Sequence, residues 1–335
     1  MDKATIKKQS RGLLRIAAFL LALLAALYAL SATVFSHDAA QRRGNHYVRS
    51  FSYENEAPGT VEVVFIGNSD AYSGISPAVL WKNCGYPAVV CGAAHQTPLF
   101  SEMLLKKLYR TQSPAVVVLE TDMLFDGQGK AVTSQKARCP DGPLQRLYRL
   151  MLPERLEYAL EMELSVIEFH NEWQRYFIGF REPPKNNHGF YFSKRVGKVD
   201  EAPDFMAPTE DRACLSADRL GMLKDTVDLC RRHGSEVMLV ALPCVKYWTM
   251  ARHNTVADFA EEYDLPFVDF NSDEYEDLID NDTCYRDEGN HLNYTGAKRV
   301  TAALGERLRE TYGDRLTDCR GNEAYAAWDG RRRHK

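Results

Sequence analysis

The 335-residue sequence lacks the short motifs of several common enzyme classes. It has no C-x-x-C pair, no H-E-x-x-H, no P-loop and no glycine-rich dinucleotide fingerprint, so zinc-knuckle, thioredoxin-like, zincin and nucleotide chemistry have no motif behind them. Charge of one sign is not in excess either, because 42 basic residues face 46 acidic ones. A net charge of -4 does not favour nucleic acid as a partner. No internal repeat is present.

Long hydrophobic runs are also scarce, with one clear exception near the amino terminus. Ile16 to Phe35 is apolar or small throughout, and at about 1.5 Å per residue it spans roughly the 30 Å of a bilayer core. Basic residues cluster before it: Lys3, Lys7, Lys8, Arg11 and Arg15. This asymmetry predicts a cytoplasmic tail over 1–15, a signal-anchor over 16–35 and an extracytoplasmic remainder.

A cleaved signal peptide is the competing interpretation of this segment. The run exceeds the usual apolar region of a signal peptide, about 7–15 residues, and Leu30-Ser31-Ala32 is a poor cleavage site. We therefore expect a retained single span. The eight cysteines can pair in part if the body lies outside the cytoplasm, but their spacing does not give the pairs.

From residue 60 onward, β-rich runs alternate with helical patterns. Five short apolar runs read as strands: 61–66, 87–91, 115–119, 236–241 and 266–269. Near-continuous apolar runs are typical of parallel strands covered on both faces. The pattern predicts an α/β fold, a doubly wound, flavodoxin-like three-layer domain with a mostly parallel sheet. We expect a linker over 36–60, the domain over 61–319 with an insertion at 126–215, and a solvated basic tail over 320–335.

Three polar stretches follow strands or precede the last helix, where α/β proteins place their sites. They are 67–70 (Gly-Asn-Ser-Asp), 92–96 (Gly-Ala-Ala-His-Gln) and 287–293 (Asp-Glu-Gly-Asn-His-Leu-Asn). Ser69 at a strand-to-helix turn suits a nucleophile, and its own N–H is free to bind an oxyanion. His291 suits the general base, with a preceding carboxylate to orient its imidazole. The set has the parts of an acyl-transfer site.

These stretches resemble motifs of the SGNH, or GDSL-like, hydrolases. The run 65–70 is similar to their nucleophile block, and Asp287 to His291 with Asn293 and Gly296 is similar to their aspartate–histidine block. Gly92 and Gln96 resemble the second block, whose glycine N–H helps to form the oxyanion hole. With the anchor, the chain looks like membrane-tethered SGNH proteins of bacteria that move or remove acyl groups on envelope polymers, such as DltD-like and alginate-acetylation-like proteins.

The resemblance has two departures. The family's third block supplies an oxyanion asparagine after strand three, whereas this chain reads Glu120-Thr121-Asp122 there. Either Thr121 donates instead, or the hole rests on the N–H groups of Ser69 and Gly92. The triad carboxylate is also open, because Glu288 has the family spacing to His291 while Asp287 has the family residue type.

Asp287 is favoured over Glu288, because Gly289 and Asn290 can absorb one extra residue in a turn. Asp70 is expected to cap a helix rather than to act in catalysis.

Four further residues are candidates for substrate binding: Asn68, His95, Gln96 and Trp173. His95 is by default an exposed loop histidine, and Trp173 by default a core residue. The aromatic run at 190–192 can form an apolar or sugar-stacking wall, and the insertion is expected to cover the carboxyl edge of the sheet and shape the acceptor site.

The sequence thus predicts a serine esterase or O-acyltransferase that acts on an acylated glycan or envelope polymer and needs no cofactor or metal. Its expected partners are the membrane and a membrane acyltransferase. The rival hypothesis is a catalytically weak SGNH scaffold that binds a glycan or such an acyltransferase. If the triad is real, Ser69 Oγ and a ring nitrogen of His291 approach to about 2.6–3.2 Å, or somewhat more without substrate.

Overall fold

The structure is a computed structural model that describes residues 3–36, 49–126, 164–170, 173, 187–199 and 204–329. Most of the predicted insertion and the end of the basic tail lie outside these residues. The chain divides into two compact units, residues 1–47 with 133–183, and residues 48–132 with 184–335. The second unit contains the α/β fold.

The sheet of the second unit has five parallel strands. They are β1 Val63–Gly67, β2 Ala88–Gly92, β3 Val116–Glu120, β4 Glu236–Ala241 and β5 Phe267–Asp269. Their order is β2-β1-β3-β4-β5, which is the flavodoxin-like order with the reversal between β1 and β3. Strands β1, β2 and β3 are buried at every position, as their near-continuous apolar sequences predict. The predicted α/β class and parallel sheet are confirmed.

The described residues contain eight α-helices, besides short 3-10 turns. In chain order they are α1 Lys3–Ala32, α2 Ser69–Gly74, α3 Pro77–Cys84, α4 Pro98–Leu108, α5 Ser165–Phe169, α6 Ala217–Arg232, α7 Met250–Glu262 and α8 Tyr294–Tyr312. Ser216 caps α6 by accepting a hydrogen bond from the N–H of Arg219, as the sequence predicts. One face of the sheet packs on α3 and α8 through residues such as Leu80, Val300 and Leu304. This core places the carboxyl ends of the strands, and the loops after them, at one edge.

The first unit contains the apolar amino-terminal helix. Residues Arg11–Ala32 of α1 are long and apolar enough to cross a membrane, with a mean hydropathy of 2.4. The helix ends at Ala32, three residues before the predicted end of the span, and the chain turns at 33–35. The short helix α5 is anchored beside it, since the hydroxyl of Ser165 donates to the carbonyl of Phe35 at 2.7 Å.

Candidate active site

The predicted nucleophile lies where β1 passes into α2. Asn68 is the N-cap of α2, and its side-chain oxygen accepts a hydrogen bond from the N–H of Asp70 at 2.8 Å. Ser69 is therefore the first residue of the helix, half-buried at the carboxyl edge of the sheet. The sequence suggested Asp70 as the cap, but the structure gives that role to Asn68, because Asn68 is the last residue before the helix and Asp70 is already inside it.

His291 is paired with Asp287 on the loop before α8. Its Nδ1 lies 2.6 Å from Asp287 Oδ2, and its backbone N–H donates to Asp287 Oδ1 at 2.6 Å. Partial burial alone would raise the pKa of Asp287, but the hydrogen bonds from the side chain and backbone of His291, and the charge of Arg286, lower it overall. Asp287 is thus held as a carboxylate that orients the imidazole through Nδ1.

The loop geometry explains how an aspartate four residues before the histidine reaches it. Glu288 and Gly289 are both left-handed, with φ of 62° and 90°, and an isolated bridge between Tyr285 and Leu292 closes the loop. Two successive left-handed residues take up the extra residue, whereas the sequence assigned that role to Gly289 and Asn290. The side chain of Glu288 is exposed, and its backbone N–H donates to the carbonyl of Gly197.

Asn293 fixes the end of this loop. Its side-chain oxygen caps α8 by accepting from the N–H groups of Thr295 and Gly296. Its amide donates to the carbonyls of Thr283 at 2.7 Å and Tyr285 at 3.1 Å. One buried side chain therefore ties the helix start to the strand-like segment before Asp287, which sets the position of His291.

The second ring nitrogen of His291 faces the start of α2. His291 Nε2 lies 3.9 Å from Asp70 Oδ1, and Asp70 directly follows Ser69 in the chain. The loop of His291 and the Ser69 turn therefore meet, although 222 residues separate them (291 minus 69). The pKa of Asp70 is raised well above its usual range, first by burial and then by the nearby charges of Glu120 and Asp122.

A group of carboxylates surrounds Asn68. Its amide nitrogen donates to Asp122 at 3.1 Å and to Asp126 at 2.9 Å, and its backbone N–H donates to Glu120 at 3.4 Å. Burial, followed by the charge of Asp122, raises the pKa of Glu120 well above its usual range. Burial also raises the pKa of Asp122, although Arg252 opposes this through an ion pair at 2.5 Å.

The two other candidates for the oxyanion hole differ in their surroundings. Gly92 ends β2 against the turn of the nucleophile: a Cβ there would lie 3.0 Å from the carbonyl oxygen of Gly67 and 3.1 Å from that of Asn68. Thr121 is buried, and its hydroxyl donates to the carbonyl of Val240 at 3.1 Å. The hydroxyl proton of Thr121 is therefore already used in a hydrogen bond to β4.

The candidate substrate-binding residues differ in their exposure and contacts. His95 is exposed, has a left-handed φ of 51° and lies 3.5 Å from Asp126. Gln96 is fully buried and donates to the hydroxyl of Ser101 at 3.0 Å. Trp173, in the first unit, is half exposed, so it is not the core residue that the sequence led us to expect by default.

Aromatic residues border the candidate site on the other side. Tyr72 of α2 packs edge-on against Tyr191, with ring centroids 6.3 Å apart, and the N–H of Tyr191 donates to the carbonyl of Tyr72 at 2.7 Å. The guanidinium of Arg286 lies 4.6 Å from the centre of the Tyr191 ring and 3.5 Å from Asp287. Phe192 is about half exposed and packs on Tyr294. The aromatic run was flagged from sequence, but Tyr72, Arg286 and Arg252 were missed because nothing in the local sequence distinguishes them.

The described residues offer neither a candidate metal site nor an activated thiol at Cys91 or Cys230. No group of three or more His, Cys, Asp or Glu side chains there is arranged to hold a metal ion. The seven cysteines in that part of the chain are free thiols, and Cys139 lies outside it. Burial raises the pKa of Cys91 and Cys230 to about 12, so these two thiols are poor nucleophiles.

Comparisons with known proteins give fold-level likenesses only. No family model and no curated protein gives a significant match to the sequence. A crystal structure from Bacteroides fragilis, described as a "putative acylhydrolase", is similar at 14% identity, covering 80% of this chain and 97% of that one, with a TM-score of 0.40. A GDSL-like lipase from Bacteroides thetaiotaomicron is similar at 13% identity, covering 80% of this chain and 98% of that one, with a TM-score of 0.39.

Proposed function

We propose that this protein is an SGNH-type serine acyl hydrolase or O-acyltransferase that uses Ser69, His291 and Asp287. The observation that carries the proposal is the Asp287–His291 pair, joined at 2.6 Å through Nδ1, with His291 Nε2 facing the first turn of α2. A carboxylate on Nδ1 leaves Nε2 as the base, which is the arrangement that nucleophilic serine catalysis requires. Glu288 has no part in this mechanism.

In the first half-reaction, Ser69 Oγ attacks the carbonyl carbon of the acyl group and passes its proton to His291 Nε2. The tetrahedral oxyanion takes hydrogen bonds from the N–H groups of Ser69 and Gly92. His291 then gives the proton to the leaving alkoxide oxygen, and the acyl group remains as an ester on Ser69. Water or a sugar hydroxyl attacks this ester with His291 again as base, which regenerates the serine.

The substrate class that we propose is an acylated glycan or related envelope polymer. The exposed aromatic side chains Tyr191 and Phe192 suit stacking on sugar rings, and Tyr191 lies against Arg286, the neighbour of Asp287. The apolar stretch of α1 suits a single-pass anchor, with the α/β unit on the outer side and a membrane acyltransferase as partner. Of the other candidates, His95 remains a predicted contributor to substrate binding, whereas Gln96 is fully buried and acts by fixing its loop through Ser101.

A second function, a weak or inactive SGNH scaffold that binds a glycan or an acyltransferase, is favoured by the carboxylates around Asn68. Glu120, Asp122 and Asp126 stand where the resembling family places a neutral oxyanion donor. Negative charge beside Ser69 would oppose an oxyanion. The raised pKa of Glu120 and the ion pair of Asp122 with Arg252 both reduce that charge, so we rank the enzyme first.

Labelling with a fluorophosphonate probe separates the two functions. On the full chain in detergent, we expect the probe to label Ser69, and Ser69→Ala and His291→Ala to abolish the label. Ser216→Ala is the matched control, because that serine caps α6 and is not among the candidate site residues, so labelling should stay unchanged. A folded chain that takes no label, or takes it equally after Ser69→Ala, would support the scaffold instead.

A further inference from the structure

The α/β unit contains a cavity whose lining includes none of the candidate site residues. Its volume is about 240 Å³, and four segments form its walls: 204–206, 243–245, 270–276 and 279–285. It lies beyond the carboxyl ends of β4 and β5. The volume is below the roughly 300–1,000 Å³ of sites for drug-sized ligands, so its occupant is small.

The lining combines aromatic rings with carboxylates. Four aromatic residues contribute to it: Phe205, Phe270, Tyr275 and Tyr285. Three acidic residues join them, Asp204, Asp273 and Glu276, while no lysine, arginine or histidine is among the lining residues that the structure describes. Phe270 and Tyr275 pack on each other with ring centroids 4.6 Å apart, which makes one wall rigid.

These three acidic residues contribute negative charge to the cavity. All three are exposed, and in the described part of the chain the ion pairs nearby involve other acidic residues, Asp282, Glu274 and Glu310. A basic side chain, Arg307, donates to the hydroxyl of Tyr275 at 2.7 Å and lies 5.7 Å from the centre of that ring, but it is also paired with Glu274 and Glu310. The cavity therefore carries a net negative field against aromatic walls.

We infer that this cavity binds a small organic ammonium ion, a primary or quaternary amine on a short apolar body. Aromatic faces and carboxylates together attract such a cation, since the ring quadrupole and the formal charges act in the same direction. A phosphate-bearing headgroup does not suit the site, because no basic lining residue would neutralise it. A metal ion does not suit it either, because four of the walls' side chains are aromatic rather than oxygen ligands.

The test compares choline with its neutral isostere 3,3-dimethyl-1-butanol by isothermal titration calorimetry on the full chain in detergent. Both ligands have the same shape, so a difference reports the charge. We expect saturable binding of choline and at least about tenfold weaker binding of the alcohol. Phosphocholine should also bind more weakly than choline. No saturable choline binding, or equal binding of choline and the alcohol, would overturn the inference.

Substitutions place the binding in this cavity. We expect the double variant Asp273→Asn, Glu276→Gln to weaken choline binding by about tenfold. Glu274→Gln is the matched control, since Glu274 lies between these two residues in sequence but is paired with Arg307 and does not line the cavity. All three residues are exposed, so neither variant should impair folding. An equal loss in the control would show a general surface-charge effect and refute the site.

Discussion

Replacing Asp287 by asparagine tests which carboxylate serves His291. Asparagine keeps an oxygen for the backbone N–H of His291, now bound at 2.6 Å, but it presents an amide where the carboxylate oxygen lies 2.6 Å from Nδ1. The amide then favours the wrong imidazole tautomer, with the proton on Nε2. In serine triads this error costs about 10⁴-fold in kcat, which corresponds to about 5 kcal/mol of transition-state stabilisation.

The matched control is Glu288→Gln, an exposed position on the same loop. We expect it to change the rate by less than about twofold, because surface changes of this kind stay near 0.5 kcal/mol. The assay is hydrolysis of a chromogenic acetate ester, with urea unfolding to show that Asp287→Asn loses only about 1 kcal/mol of stability. A larger loss of rate for Glu288→Gln than for Asp287→Asn would refute the assignment.

The remaining predictions concern the oxyanion side, the buried acids and the membrane. Gly92→Ala should destabilise the fold by about 1–3 kcal/mol and abolish probe labelling, because its Cβ would lie 3.0 Å from the Gly67 carbonyl oxygen. Urea unfolding and probe labelling measure the two effects, and unchanged labelling would exclude Gly92 from the site. Arg252→Met should cost about 1–3 kcal/mol at pH 8 by leaving Asp122 without its ion pair, with partial rescue in Arg252→Lys; a neutral effect would show that the pair is not formed. The pKa values of Asp70, Glu120 and Asp122 are raised, so the folded chain retains protons that the unfolded chain has lost. The free energy of unfolding should therefore fall as pH rises above about 4. Glu120→Gln should make that fall shallower, and a fall of the same slope in the variant would contradict this account. A reporter enzyme that works only outside the cytoplasm should be active when it is fused to the carboxyl terminus. Activity of a reporter that works only inside the cytoplasm would refute the proposed topology.

Sequence patterns predicted the fold because its determinants are local. Near-continuous apolar runs defined all five strands to within two residues, and Ser216 marked the start of α6. The approach of His291 to the start of α2 could also be predicted, because parallel strands bring the loops that follow them to one edge of the sheet.

The surroundings of the site were not predictable in the same way. Arg252 lies 130 residues from Asp122 in sequence and reaches it through the packing of α7, which no local pattern encodes. The pairing of Asp287 over Glu288 depends on two left-handed residues, one of them a glutamate, a type that seldom adopts that conformation. The cap formed by Asn68 instead of Asp70 depends on where β1 ends, and element boundaries are the least predictable feature of a sequence.

A double-mutant cycle at Ser69 and His291 tests the central claim most directly. The rate of ester hydrolysis is measured for Ser69→Ala, His291→Ala and the double variant, all in the full chain with folding checked by circular dichroism. If the two side chains act as one catalytic unit, each single variant loses nearly as much rate as the double variant. Losses that add on a logarithmic scale, or hydrolysis that persists without Ser69, would contradict the serine mechanism.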